Sequence, residues 1–186
     1  MKKWSQKRSV MRRYDLTSQM YNQRYAEEQE AKYEAALEGL RNSVNGDSAV
    51  LDVGCGTGLF FNHVAAQANI VVGVDISRKL LLKAKEQAGA LQNVFVLQAD
   101  ADHLPFRKAF FDAVFAFTVL QNMPKPSETL NELKRVAKFG GRVVVTGLKK
   151  TFSLNTFMDV LESTGLRIVA FVDNENLKCY VAVLAA

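Results

Sequence analysis

The stretch Val50-Leu51-Asp52-Val53-Gly54-Cys55-Gly56-Thr57-Gly58-Leu59-Phe60 constrains this chain more than any other. A short apolar strand runs into three glycines at alternate positions, and a helical pattern follows. Glycine tolerates positive φ and lets a ligand approach the backbone closely. Such a turn delivers the chain into a helix whose free N–H groups point toward a ligand. The next apolar run, Ile70-Val71-Val72-Gly73-Val74, ends in Asp75. An acid at the tip of a second parallel strand can accept hydrogen bonds from both hydroxyls of a ribose. The other reading of Asp75 is an acid at the N-terminus of the helix that Ser77 opens.

The rest of the chain alternates strand and helix patterns. Apolar runs place strands near 49–54, 70–75, 93–98, 111–117, 141–147, 166–172 and 178–184. Helical periodicity places helices near 58–68, 77–88, 126–138 and 153–164, with one or two more over 16–43. Ser77 and Ser153 are expected N-caps, and Gly89, Gly140 and Gly165 expected C′ residues. Runs apolar on both faces indicate strands buried on both sides, hence a parallel sheet between two helical layers. Asp173-Asn174-Glu175-Asn176 is a polar turn with no room for a helix, so the last two strands pair as a hairpin. At 186 residues one structural domain is expected, made of an N-terminal segment 1–45 and an α/β body 46–186.

Charge is unevenly placed. The chain carries 24 Lys+Arg against 19 Asp+Glu. Lys2, Lys3, Lys7, Arg8, Arg12 and Arg13 lie in the first 13 residues, which hold no acid, so the remainder has 18 bases against 19 acids, net −1. This arm, with Trp4 and Tyr14, either meets RNA phosphates and bases or is a solvated tail. In both readings cofactor binding is expected to survive its deletion. No apolar run reaches the ~20 residues of a membrane span, and no secretory h-region is present. Cys55 and Cys179 lack metal-ligand spacing and read as reduced thiols, so a cytoplasmic location is expected and no metal site.

The glycine spacing is G-x-G-x-G; a dinucleotide fingerprint would need glycine where Leu59 stands. With Leu51-Asp52-Val53 before it, the segment resembles motif I of the class I S-adenosylmethionine (SAM) dependent methyltransferases. Four further segments resemble that family's motifs in order: Val72 to Ser77, Leu97 to Phe106, Phe111 to Phe117, and Leu133 to Val136 with Phe139 to Val145. The resemblance implies a seven-stranded doubly wound sheet of order 3-2-1-4-5-7-6 with the last hairpin antiparallel. It implies SAM as cofactor, S-adenosylhomocysteine as product, and methyl transfer as activity.

Residue roles follow from the same resemblance. Asp52 and the Gly54 carbonyl lie where the family handles the methionine ammonium, though Asp52 can also cap the glycine turn. Cys55 is a small residue within that turn. Gly56 and Gly58 let the backbone approach the cofactor, Asp75 takes the ribose, and Ile76 packs on adenine. Asp100 accepts from the adenine amino group, with the Ala101 backbone beside it. Phe117 stands beside the sulfonium, and Phe117, Thr118, Gln121 and Asn122 face the acceptor. Tyr14, Tyr21 and Tyr25 resemble a cap segment over SAM; Tyr14 and Tyr25 are its expected cofactor contacts, with Arg24 a further candidate. They can equally pin a helix to the core. Nothing near Gln121-Asn122-Met123-Pro124 is a general base at neutral pH, and no catalytic residue is assigned.

The acceptor stays open between RNA (or a ribosome-linked protein) and a small metabolite. The reading from outside catalysis is a silent SAM-binding regulatory or scaffold subunit, marked by a filled acceptor pocket. A nicotinamide dehydrogenase is a more distant alternative. Strand 93–98, an edge in the implied order, has no charge, proline or glycine. Bare edges invite strand pairing, so this one is either covered by the chain's own helices and loops or paired with a small activator subunit or a second copy.

Overall fold

The computed structural model describes residues 2–17, 21–40 and 44–186, with side chains for 4–16, 27–40 and 44–186. Two helices, α1 (Lys2–Thr17) and α2 (Tyr21–Leu40), precede the sheet. Then follow β1 (Ala49–Val53), α3 (Phe61–Val64), β2 (Ile70–Asp75), α4 (Arg78–Ala88), β3 (Val94–Gln98) and β4 (Phe111–Ala116). The second half runs α5 (Pro126–Val136), β5 (Ala137–Leu148), α6 (Leu154–Glu162), β6 (Arg167–Val172) and β7 (Cys179–Ala185).

The strands form one sheet of order β3-β2-β1-β4-β5-β7-β6. Pairing is parallel up to β5, and β7 is antiparallel to both β5 and β6. The expected topology is therefore present. Side-chain alternation sends Val50, Phe115, Val144 and Val183 to one face, against Tyr33, Ala36 and Leu40 of α2, Phe61 and Val64 of α3, and Leu81 and Ala84 of α4. Leu51, Val114, Val145 and Leu184 face the other way, onto Leu130 and Leu133 of α5 and Phe157 and Leu161 of α6. Strand order reverses between β1 and β4, and the crevice beyond their carboxyl ends is where ligands bind in such sheets.

Several boundaries differ from expectation. The 58–68 helix is one turn at Phe61–Val64 plus a 3₁₀ turn at Ala65–Gln67. The helix expected over 126–138 ends at Val136, because Ala137 already pairs with Phe111 as the first residue of β5. Gly140 has φ 75 inside β5, where its N–H donates to the Ala186 carbonyl at 2.8 Å; it is not a helix cap. Gly89 ends α4 in the right-handed region at φ −60 rather than in the left-handed one. Ser77 and Ser153 cap α4 and α6 as expected, accepting from Leu80 and Thr156 N–H. The basic arm is no tail: residues 2–17 are helical, and α1 packs against α4.

Candidate active site

The turn after β1 is built from left-handed glycines, with φ 73 at Gly54, 58 at Gly56 and 84 at Gly58. Its first N–H groups are spent on β2: Gly54 and Cys55 N–H both donate to the Val74 carbonyl, at 2.7 and 3.0 Å. The Asp75 carboxylate completes the join. One oxygen accepts from Gly56 N–H at 3.0 Å and the other from Ser77 N–H at 2.7 Å. Asp75 thus ties the glycine turn to the start of α4 while lining the crevice. Burial raises its pKa to about 6, against the opposing pull of its amide partners.

A cavity opens there. Gly54, Gly56, Asp75, Ile76, Asp100, Ala101, Phe117 and Tyr14 all line it. Three expected contacts do not. Asp52 lies below the turn, 2% exposed; burial and the nearby Asp75 charge push its pKa up to about 8. Cys55 is buried on the core side, where its sulfur lies 3.0 Å from the position a Cβ on Gly73 would take. Gly58 serves packing: a Cβ there would fall 2.6 Å from the Phe61 ring. The side chains of Tyr25, Tyr21 and Arg24 lie outside the described residues.

Helix α1 supplies a wall that the sequence reading missed. Lys7 and Val10 line the cavity. Lys7 is 6% exposed, with its ammonium 2.7 Å from Asp100 and also paired with Asp102. Burial works against its charge, but these two carboxylates outweigh it and its pKa is raised. Asp15 accepts from the Ser77 hydroxyl, which ties the far end of α1 to the cap of α4. Lys7 and Val10 therefore belong to the cavity wall, so deleting residues 1–13 would remove part of that wall. Asp100, assigned to adenine, is held by the Lys7 ammonium, so an adenine amino group would share that carboxylate.

A second cavity of about 1,610 Å³ lies on the far side of Tyr14, Thr118 and Asn122, which line both spaces. Asn122 Nδ2 donates to the Tyr14 hydroxyl at 3.2 Å and to the Thr118 carbonyl at 2.9 Å. Thr118 has φ 61, a left-handed conformation that β-branched residues rarely adopt. Its N–H donates to Thr146 Oγ1 at 2.7 Å, and its hydroxyl accepts from Lys32 Nζ at 3.2 Å. Backbone strain of this kind persists where surroundings over-determine it, often at functional sites. Gln121 also lines the second cavity, with Glu28, Gln29 and Lys32 of α2. No sequence signal marked those three. Glu28 and Lys32 pair at i,i+4 spacing on α2, and Lys32 is 1% exposed.

A family model described as a methyltransferase domain matches residues 51–145. The chain belongs to the class I SAM-dependent methyltransferase family. It is 34% identical over 148 residues to a malonyl-[acyl-carrier protein] O-methyltransferase of Marinomonas sp. (strain MWYL1), covering 78% of this chain and 54% of that protein. The chain spans about half the length of the curated relatives it matches. In fold it is similar to the magnesium protoporphyrin IX methyltransferase of Synechocystis PCC 6803, at TM-score 0.80 and 18% identity over 97% of both chains. It is also similar to a structure of the complex between the Haloferax volcanii Trm112 methyltransferase activator and a methyltransferase, at TM-score 0.75 and 16% identity over 93% of this chain and 97% of that one. The chemistry of the cavity lining suits the family's cofactor. Asp75 offers a carboxylate for a ribose diol, while Ile76, Leu80, Ala99 and Ala101 give apolar surface for a base. No helix among the described residues is long and apolar enough to cross a membrane, and no group of side chains among them could hold a metal ion.

Proposed function

We propose that this chain is a SAM-dependent methyltransferase whose donor sits in the β1/β4 crevice and whose acceptor enters the second cavity. The observation that carries this is the shared wall of Tyr14, Thr118 and Asn122 between the two spaces. When bound, SAM supplies a methyl on a positive sulfonium, which an acceptor lone pair takes as the C–S electrons return to sulfur, leaving S-adenosylhomocysteine. The residues of the chain position and desolvate. Asp75 holds the ribose, Ile76 and Ala101 flank the base, and Gly54 with Asp52 beneath it faces the methionine end. Phe117 and Tyr14 screen the reacting centre from water. Helices α1 and α2 act as its cover. Alignment across the shared wall supplies the rate. A silent SAM-binding subunit would need the acceptor side filled, and the open space beside Gln121 and Asn122 favours catalysis instead. The acceptor is RNA, a ribosome-linked protein or a small metabolite. The free thiols of Cys55 and Cys179 fit a reducing compartment such as the cytoplasm. Calorimetry is expected to show SAM binding with a roughly micromolar dissociation constant and no saturation by NADH. NADH binding without SAM binding would reverse the assignment.

A second proposal concerns a partner. Strand β3 is the sheet edge, and Phe95 and Leu97 on it are 56% and 43% exposed. Val94 is buried among α4 residues, so the uncovered face is the opposite one. An edge with open hydrogen-bonding groups and an apolar face accepts an added strand. A small activator subunit or a second copy pairing at β3 is supported by this exposure. The Haloferax volcanii complex holds a methyltransferase of this fold with an activator. Phe95→Lys is expected to lower oligomeric state or partner co-purification while circular dichroism stays unchanged. No change in light scattering or co-purification would remove the proposal.

A further inference from the structure

The second cavity has a charge that the chain's body does not share. Arg13, Lys32, Lys149, Lys150 and Lys178 line it against one carboxylate, Glu28. These cations come from α1, α2, the β5–α6 loop and the turn before β7. They are gathered by the fold, not by sequence. Glu28 is shared between Lys32 at 2.8 Å and Lys178 at 2.9 Å. Lys149 pairs with Asp173 and lies 5.4 Å over the Tyr180 ring, which fixes its position. Arg13 donates to Asn122 Oδ1 at 2.8 Å and covers the Tyr14 ring. Lys150 is exposed and forms no ion pair among the described residues. Counting Glu28 and Asp173 against the five cations leaves a net charge of three positive. A concave surface of one sign focuses the field and concentrates counter-ions of the other.

The inner end of the same cavity asks for a different group. Gln29 is 5% exposed, and its Oε1 has no hydrogen-bond partner. Its Nε2 reaches the Thr118 hydroxyl at 3.4 Å. Gln121 Oε1 is likewise buried without a partner. A buried acceptor left without a donor is destabilising, and an O–H or N–H from a bound molecule removes that cost once the amide turns toward the cavity.

On the methyltransferase reading above, we infer that the acceptor is a small molecule with a carboxylate or phosphate at one end and an O–H or N–H at the other. Lys149, Lys150 and Lys178 bind the anionic end at the mouth. Gln29 and Gln121 accept from the reacting end beside Thr118, where the wall to the donor cavity lies. Lys32 holds the Thr118 hydroxyl beside the acceptor atom, and the proton that atom loses on methylation passes to solvent. The small acceptor is favoured over RNA because these cations ring a recess. In the arm that would carry RNA contact, Lys7 is turned inward onto Asp100 and Arg13 is held on Asn122.

The test titrates protein saturated with S-adenosylhomocysteine with citrate, and separately with pyrophosphate, by calorimetry at fixed ionic strength. At least one probe is expected to bind saturably, and which one binds tells a carboxylate site from a phosphate site. Lys150→Glu with Lys178→Glu is expected to weaken that binding at least about tenfold. SAM affinity should stay within about twofold, since neither residue lines the donor cavity; this also reports that the variant is folded. Absence of saturable binding for both probes overturns the inference, as does equal affinity in the variant. Binding of a single-stranded RNA oligonucleotide that the double variant loses, with neither probe bound, also overturns it and assigns the patch to nucleic acid. Loss of the methyltransferase reading would show separately, as wild-type protein that fails to bind SAM.

Discussion

Asp75→Ala is expected to weaken SAM binding by roughly 10- to 150-fold, equivalent to about 1–3 kcal/mol. Two effects combine. The ribose loses its carboxylate partner, a charge-assisted contact of the stronger kind. The amides of Gly56 and Ser77 lose the acceptor that ties the glycine turn to α4, at 3.0 and 2.7 Å. Global stability should change less than affinity. The substitution removes two hydrogen bonds but also a buried carboxylate whose pKa is raised to about 6, so its ionisation at neutral pH is a standing cost. Asp75→Asn should fall between, because one amide oxygen can serve only part of this set. Calorimetry with thermal unfolding of both variants measures the two effects. An unchanged dissociation constant in Asp75→Ala would reduce Asp75 to a cap of α4.

What the sequence makes legible is what is local or follows a fixed interval. The glycine turn, the acid at the tip of β2 and the serine caps of α4 and α6 each depend on neighbours within a few residues. The strand order came from a set of motifs in register, and the sheet follows it. What stays hidden depends on pairs far apart in the chain. Lys7 and Asp100 are 93 positions apart, and nothing in a basic N-terminal block signals that one lysine turns into a cavity. Gly58 shows why a motif position need not be a contact. Its positive φ is required by the turn, but the space where a side chain would sit belongs to Phe61. The α2 residues of the acceptor side were invisible for a similar reason. A glutamate and lysine four apart look like helix surface, and only the docking of α2 over the strand ends buries Lys32. Ala137 joined β5 because its pairing with Phe111 outweighs the helical pattern that continues past Val136.

The two buried acids of the donor site should give cofactor-free stability and SAM affinity opposite dependences on pH. Asp52 and Asp75 have pKa values raised to about 8 and about 6, by burial first and then, for Asp52, by the charge of Asp75. A carboxyl group raised above its unfolded value of 3.8 binds more protons when folded. Its stabilisation is complete below that unfolded value and is lost as pH rises through the folded one. The cofactor-free protein should therefore lose stability, and Tm with it, as pH rises between about 4 and 8. Glu28, Asp112 and Glu132, whose pKa values their basic partners hold down despite burial, act with the other sign and below this window. SAM carries a sulfonium and an ammonium against one carboxylate, so ionised Asp52 and Asp75 favour it, and its affinity should rise as they deprotonate. Asp52→Asn isolates the larger contribution. It should flatten the stability curve between pH 6 and 8 and raise Tm at pH 8, where the wild type holds an ionising acid under the glycine turn. Thermal unfolding across this pH range, with and without SAM, reads both slopes. A wild type and an Asp52→Asn variant with parallel curves would mean that Asp52 stays neutral throughout, and would remove it from any part in holding the methionine ammonium.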